Sequence, residues 1–264
     1  MPLPLLHIDA FTDRPFAGNP AAVCLLRKAA PDSWMQALAA EMNLSETAFP
    51  LPEGDGYRLR WFTPTVEVDL CGHATIATSH ALWETGRASR ETPLRFHSRS
   101  GPLTARRKDG WIELDFPARV SERAETAPDL ERALGARAVR VERVGHDFLV
   151  EVDSEAGVRA ALPDQGLLMR LGVHGAIITS RSDDARYDFV SRYFAPGYGI
   201  PEDPVTGSAH CALGPYWERY LGKADFLAYQ ASARGGVVGV SVRGDRVLLR
   251  GQAVTMFRAE VAEP

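Results

Sequence analysis

One short pattern occurs twice and constrains the fold more than anything else in the chain. Residues 60–64 read Arg-Trp-Phe-Thr-Pro and residues 192–196 read Arg-Tyr-Phe-Ala-Pro. Gly72-His73-Ala74 begins eight residues after Pro64, and Gly207-Ser208-Ala209 begins eleven residues after Pro196. An acidic residue, Asp69 or Asp203, precedes each glycine. The continuations, 74–83 and 209–217, show no clearly charged face until Glu84 and Glu218. A helix apolar all round is a buried helix. The pattern therefore predicts a duplication: two halves, each with strands wrapped around one central helix that starts at a glycine-led loop.

The rest of the chain reads mostly as short strands. Residues 5–11 and 21–27 look like strands on either side of the loop from Arg14 to Pro20. Trp34, Leu38 and Met42 recur every fourth residue, which predicts a helix over 32–42 with Asp32-Ser33 as its cap and Asn43 as its stop. Ile112, Leu114 and Phe116 alternate with acids, as Leu94 and Phe96 alternate with polar residues. The polar stretch from Ser121 to Asp129 is the best candidate for an inter-domain connection. Strands resume at Val139, Val141 and Phe148–Val152, and 154–161 and 164–171 suit short helices. Val238, Val240 and Val242 lead through Gly244-Asp245 into Val247–Leu249, a hairpin. The Arg243-Gly244-Asp245 within it reads as a turn rather than an adhesion signal.

Composition removes several function classes. Lys+Arg 30 against Asp+Glu 34, with no basic stretch, gives no footprint for nucleic acid. No run approaches the ~18 apolar residues of a membrane span. The start, Met1 to His7, has no basic segment and soon meets Asp9, unlike a signal peptide. Three cysteines are too few for a disulfide framework, so a reducing, cytoplasmic setting is expected. No dinucleotide or Walker loop is present. Cys71-x-His73 and His210-Cys211 supply soft ligands but lack the paired spacings of structural zinc sites, so no metal is expected.

A glycine at a helix start has chemical value. The first backbone N–H groups are unpaired, the dipole favours an anion, and glycine lets a ligand approach closely. Two such helix ends facing one cleft would clamp a small carboxylate or an oxyanion.

Four segments carry a family resemblance. Phe11 to Val23, Asn43 to Phe49, Cys71 to Thr75 and Glu202 to His210 resemble, in order, the phenazine-biosynthesis PhzF-like isomerase family. That resemblance implies an α+β, diaminopimelate-epimerase-like fold: two similar lobes, each a barrel-like sheet around a central helix, with the active site in the cleft. We place the lobes at 1–118 with the C-terminal strand 254–264, and at 119–253. It further implies no cofactor, a homodimer, and proton transfer on a small carboxylated substrate, as in isomerisation of trans-2,3-dihydro-3-hydroxyanthranilate.

The resemblance makes Glu46 of Ser45-Glu46-Thr47 the general acid/base, a role that burial among Leu44, Ala48 and Phe49 would favour by raising its pKa. His73 takes an orienting or proton-handling role, and the positive helix end should disfavour its charge. Asp203 faces the histidine or a polar group of the substrate; helix-dipole stabilisation is the plainer account. Ser208 binds the substrate carboxylate or caps the helix, and Gly72 and Gly207 offer their amides. Asn19 contacts ligand or fixes its own turn. Two alternatives stand beside this one. In an epimerase of the same fold Cys71 would be a base, although the second loop has no cysteine before Gly207. In a non-catalytic binding protein the lobes would be kept without turnover, which the presence of Glu46, His73 and Asp203 together argues against.

Overall fold

Strand alternation and two buried helices set the architecture. The structure is a computed structural model describing residues 2–125 and 127–264. Met1, where the leader reading begins, and Thr126, within the polar 121–129 stretch, lie outside the described residues. The chain folds into two compact units, Met1–Asp115 with Arg250–Pro264, and Phe116–Leu249.

The first unit contains β1 (Leu3–Ala10), β2 (Asn19–Cys24), α1 (Asp32–Met42), β3 (Glu46–Glu53), β4 (Gly56–Phe62), β5 (Glu67–Val68), α2 (Gly72–Glu84), β6 (Leu94–Ser98) and β7 (Gly101–Lys108). In β8 (Trp111–Pro117) Ile112, Leu114 and Phe116 are buried, as the alternation requires. β1 and β2 are antiparallel, and β3 runs parallel to β2 after the α1 crossover. β4 lies antiparallel to β3 and β5 and parallel to β6. Helix α1 ends at Asn43, whose φ of 48° is left-handed, but its start differs from expectation. The N-cap is Pro31, and Asp32 makes no capping bond because its carboxylate accepts from Arg60 Nη1.

The second unit begins with β9 (Glu122–Arg123), α3 (Leu130–Leu134), β10 (Ala138–Val144), β11 (Asp147–Val152), α4 (Glu155–Ala160) and α5 (Gln165–Arg170). It continues through β12 (Gly175–Arg181), β13 (Phe189–Ala195), β14 (Ile200–Asp203), α6 (Gly207–Leu221), β15 (Asp225–Gln230), β16 (Gly236–Arg243) and β17 (Arg246–Gly251). The division between units precedes the polar 121–129 stretch, which instead pairs β9 with β10. Gly244, at φ 65°, turns β16 into β17. The chain returns to the first unit as β18 (Ala253–Val261), antiparallel to β1.

The pairings repeat. β10 and β11 are antiparallel, and β12 runs parallel to β11. β13 is antiparallel to β12 and β14 and parallel to β15. This is the order and sense of the first unit, strand for strand from β1 to β6. Both units wrap strands around the helix that follows the repeated pattern. Helix α2 packs against β1, β2, β3, β7 and β18. In α6, Trp217 stacks on Phe189 of β13 and donates to Thr179 of β12, while Gly214 leaves no room for a Cβ against Val240 of β16. No helix among the described residues is long and apolar enough to cross a membrane.

The repeated Arg-aromatic-Phe has a structural reason. Arg60 Nε and Nη2 donate to the two oxygens of Glu67, both at 2.7 Å, and its guanidinium stands 5.1 Å from the Phe62 ring. Arg192 does the same to Glu202 at 2.7 and 2.9 Å, 4.6 Å from Phe194. In each case Nη1 reaches the crossover: Asp32 of α1 at 2.6 Å, and the Ala161 carbonyl after α4 at 2.8 Å. One planar cation thus ties the long strand, the short strand before the central helix and the crossover together, which lysine cannot do.

Replacing Arg192 with Met strands the partly buried Glu202, and we expect about 2–4 kcal/mol lost in urea unfolding. Arg192→Lys should recover only part of that, because an ammonium cannot bridge both oxygens. A methionine variant within about 0.5 kcal/mol of the parent would show that the clasp contributes nothing to stability.

Candidate active site

Three strand and helix starts of the first unit converge on one histidine. Glu46 opens β3, opposite Ala21 of β2 in the parallel ladder, and Asn19 opens β2. Cys71 is the N-cap of α2, with extended backbone at φ −143°, and Gly72 and His73 are its first two residues. Glu46 Oε2 stands 3.1 Å from His73 Nε2, and the two side chains are 12% and 7% exposed. The Cys71 sulfur lies 3.5 Å from Nδ1 and 4.0 Å from Nε2 of the same ring. The Asn19 amide sits 3.2 Å from Nδ1, and Ser45 Oγ lies 3.3 Å from Asn19 Oδ1.

The electrostatics follow from this packing. Burial opposes a charge on His73, but the Cys71 sulfur and the Glu46 carboxylate beside it outweigh burial and hold the ring well above the ordinary histidine pKa. That reverses the expectation from the helix dipole, since a carboxylate at 3.1 Å acts more strongly than a helix end. Cys71 is itself pushed up to about 11, by burial first and then by the Glu46 charge. Burial thus favours the neutral thiol, while the Cys71 sulfur and the Glu46 carboxylate together favour the proton on His73. The Asn19 amide suits either ring state, nitrogen toward a bare Nδ1 or oxygen toward Nδ1–H, with Ser45 taking the complementary role. Glu46 Oε2 is buried against the His73 ring and has no other hydrogen-bond donor on it. A carboxylate oxygen held close to a cation with a lone pair unused is suited to take a proton from a bound molecule.

The second unit gathers its own site residues. Asp203 ends β14, and its Oδ2 accepts from Thr206 Oγ at 2.5 Å. Gln230 of β15 donates to the Asp203 carbonyl at 2.7 Å and accepts from the Thr206 amide at 2.8 Å. Gly207 is buried as the first residue of α6. Ser208 is exposed in the helix's first turn; the N-cap is Thr206, so Ser208 is not a capping residue. His210 and Cys211 belong to the core of this unit: burial lowers His210 to about 4 and raises Cys211 to about 12.

The sequence points to Glu46, His73 and Asn19 but leaves other partners out. It offers Cys71 as a base, not as a neighbour of the His73 ring, and it does not single out Thr206 or Gln230. The repeat held a signal for Thr206, which precedes Gly207 as Cys71 precedes Gly72. The fourth residue of each helix donates back to that position: Thr75 to the Cys71 carbonyl at 2.6 Å, His210 to the Thr206 carbonyl at 2.8 Å.

Comparison with known proteins places this geometry in a family. The model of the phenazine biosynthesis-like proteins, PhzC-PhzF, matches residues 8–259. The chain belongs to the PhzC-PhzF family. An uncharacterized isomerase of Halalkalibacterium halodurans is 52% identical over 262 residues, covering 99% of each chain. The crystal structure of a PhzF family phenazine biosynthesis protein from Enterococcus faecalis superposes with a TM-score of 0.95 at 42% identity, covering 99% of this chain and 100% of that one. A probable proline racemase from Agrobacterium radiobacter, 16% identical, shares the fold at a TM-score of 0.65, covering 98% of this PhzF-like chain and 93% of its own.

A thiol raised to about 11 has little thiolate at neutral pH. Iodoacetamide should therefore modify Cys71 of the folded protein about two orders of magnitude more slowly than a free thiol, as followed by peptide mass spectrometry. Alkylation of Cys71 at the free-thiol rate would contradict this electrostatic account.

Proposed function

We propose that this isomerase moves a proton within a small carboxylated substrate without a cofactor, similar to isomerisation of trans-2,3-dihydro-3-hydroxyanthranilate. The observation that carries the reading is Glu46 Oε2: buried, with no donor on it besides the His73 ring 3.1 Å away, whose proton it helps to hold. Glu46 takes a proton from an acidic C–H and returns it to another carbon of the same molecule, so the enzyme ends as it began. The His73 cation offsets negative charge that spreads into the substrate as the proton leaves. Asn19 and Ser45 hold the ring. Gly72 offers its amide beside them. A homodimer is the expected assembly, to be read from sedimentation equilibrium.

A specific observation supports naming a second reading. Cys71 adjoins the His73 ring, where a thiol base of an epimerase would stand. Against it are the raised thiol pKa and the threonine at the matching place before Gly207. A hydroxyl is far too weak an acid to act as a second base.

Glu46→Gln keeps size and polarity but removes the base. It should slow solvent deuterium incorporation into a panel of cyclic hydroxy acids and amino acids by about 10²–10⁴-fold, with the unfolding midpoint little changed. Exchange at the parent rate would remove Glu46 from the chemistry. Cys71→Ser should keep most of the exchange. A nearly inactive serine variant that still folds would favour the epimerase instead.

A further inference from the structure

The Cys71 thiol touches the His73 ring, yet the proposed proton transfer leaves it unused. Its sulfur, the His73 ring nitrogens and the Glu46 carboxylate all lie within 4.8 Å of one another. We propose that these three side chains form a binding site for a thiophilic divalent cation of the zinc type, and that occupation of this site reversibly blocks the isomerase.

The geometry carries this further than residue types do. Tetrahedral zinc holds sulfur at about 2.3 Å and nitrogen or oxygen at about 2.0–2.2 Å, which sets donor atoms about 3.3–3.6 Å apart. Here Nε2 lies 3.1 Å from Glu46 Oε2 and 4.0 Å from the Cys71 sulfur, values that bracket that range. These two edges need change by only about half an ångström, and the sulfur and the carboxylate oxygen lie within 4.8 Å of one another. Three protein donors leave the fourth position open, as in catalytic zinc sites. Asn19 supplies what a ligating histidine needs on its other nitrogen: its amide nitrogen lies 3.2 Å from Nδ1, and turning the amide over brings its oxygen to Nδ1–H, gives its nitrogen to Ser45 Oγ and leaves Nε2 bare for the ion. The local sequence hid the set because Glu46 lies 25 residues before Cys71-x-His73.

Binding balances as an exchange of protons for metal. The Cys71 thiol and the His73 imidazolium each release one proton to solvent, and the ion takes the sulfur, Nε2 and Oε2 lone pairs. Affinity therefore rises with pH. Glu46 has then spent the lone pair that proton transfer requires. The inhibitory arm rests on the isomerase reading; the metal site does not.

The test uses Co2+ alone with the chelator-treated full-length protein. Thiolate coordination gives an intense charge-transfer band, and we expect about one ion per chain, displaced by Zn2+. The band should persist in Cys24→Ser and Cys211→Ser and vanish in Cys71→Ser. Glu46→Gln and His73→Gln should weaken binding by about 10–100-fold. No band in the parent protein, or a band that survives Cys71→Ser, overturns the proposal. Zn2+ should also stop deuterium exchange, with recovery on adding chelator. If Glu46→Gln exchanges at the parent rate while the cobalt band behaves as expected, the isomerase chemistry fails and the metal site stands. If the band is absent while Glu46→Gln is inactive, the reverse holds.

Discussion

Both units depend on a bidentate arginine–glutamate clasp. A helix that is buried on nearly every side contributes no charged face to aim it, so its entry must be fixed by the chain before it. Arg60–Glu67 and Arg192–Glu202 do this. Each pins the short strand leading into the central helix to the long strand at the middle of the unit, and each uses its remaining nitrogen on the crossover. The side chains are largely buried, with Arg60 17% and Glu67 11% exposed. At that depth a lost partner is costly, so the two residues are held as a pair. The position of Gly72, and through it of His73, follows from this clasp.

At the site a second constraint takes over. Glu46 and His73 approach from different elements, a strand start and a helix start, and neither charge would be comfortable there alone. Their mutual stabilisation costs little because Asn19 and Ser45 saturate the far side of the ring. The ring-facing oxygen, Glu46 Oε2, is buried and takes no hydrogen bond besides its pairing with His73. Burial, and after it the Glu46 charge, keeps the Cys71 thiol neutral, while the Cys71 sulfur and Glu46 together favour the proton on His73.

Much of this was legible in the chain because it rests on local pattern. The α1 periodicity, the β8 alternation and the paired glycine-led helices are properties of consecutive residues. The misjudged features are those decided across space. Asp32 reads as a helix cap until Arg60, on a distant strand, claims its carboxylate. His73 reads as a histidine discouraged from charging by the helix end until Glu46 arrives from β3. The polar run from Ser121 reads as a linker, yet it holds β9 and Ser121, whose hydroxyl donates to the buried Glu142 at 2.5 Å. In each case the deciding partner is remote in sequence, and no window of periodicity contains it.

The duplication does not carry the Glu46 carboxylate into the second unit. In the first unit Thr47 of β3 pairs with Phe62 of the repeated pattern, so Glu46 stands one residue before that pairing. In the second unit Ala176 of β12 pairs with Phe194, so the matching position is Gly175. A Cβ at Gly175 would meet the Phe194 carbonyl oxygen at 2.6 Å and the Tyr193 ring at 3.1 Å. No side chain fits there, let alone a carboxylate. The position before the helix glycine has diverged as well, cysteine in one unit and threonine in the other, with the threonine hydroxyl committed to Asp203. A two-base mechanism needs matched groups on both repeats. Here the repeated scaffold is retained strand for strand, while steric exclusion at Gly175 confines the carboxylate at this position to the first unit.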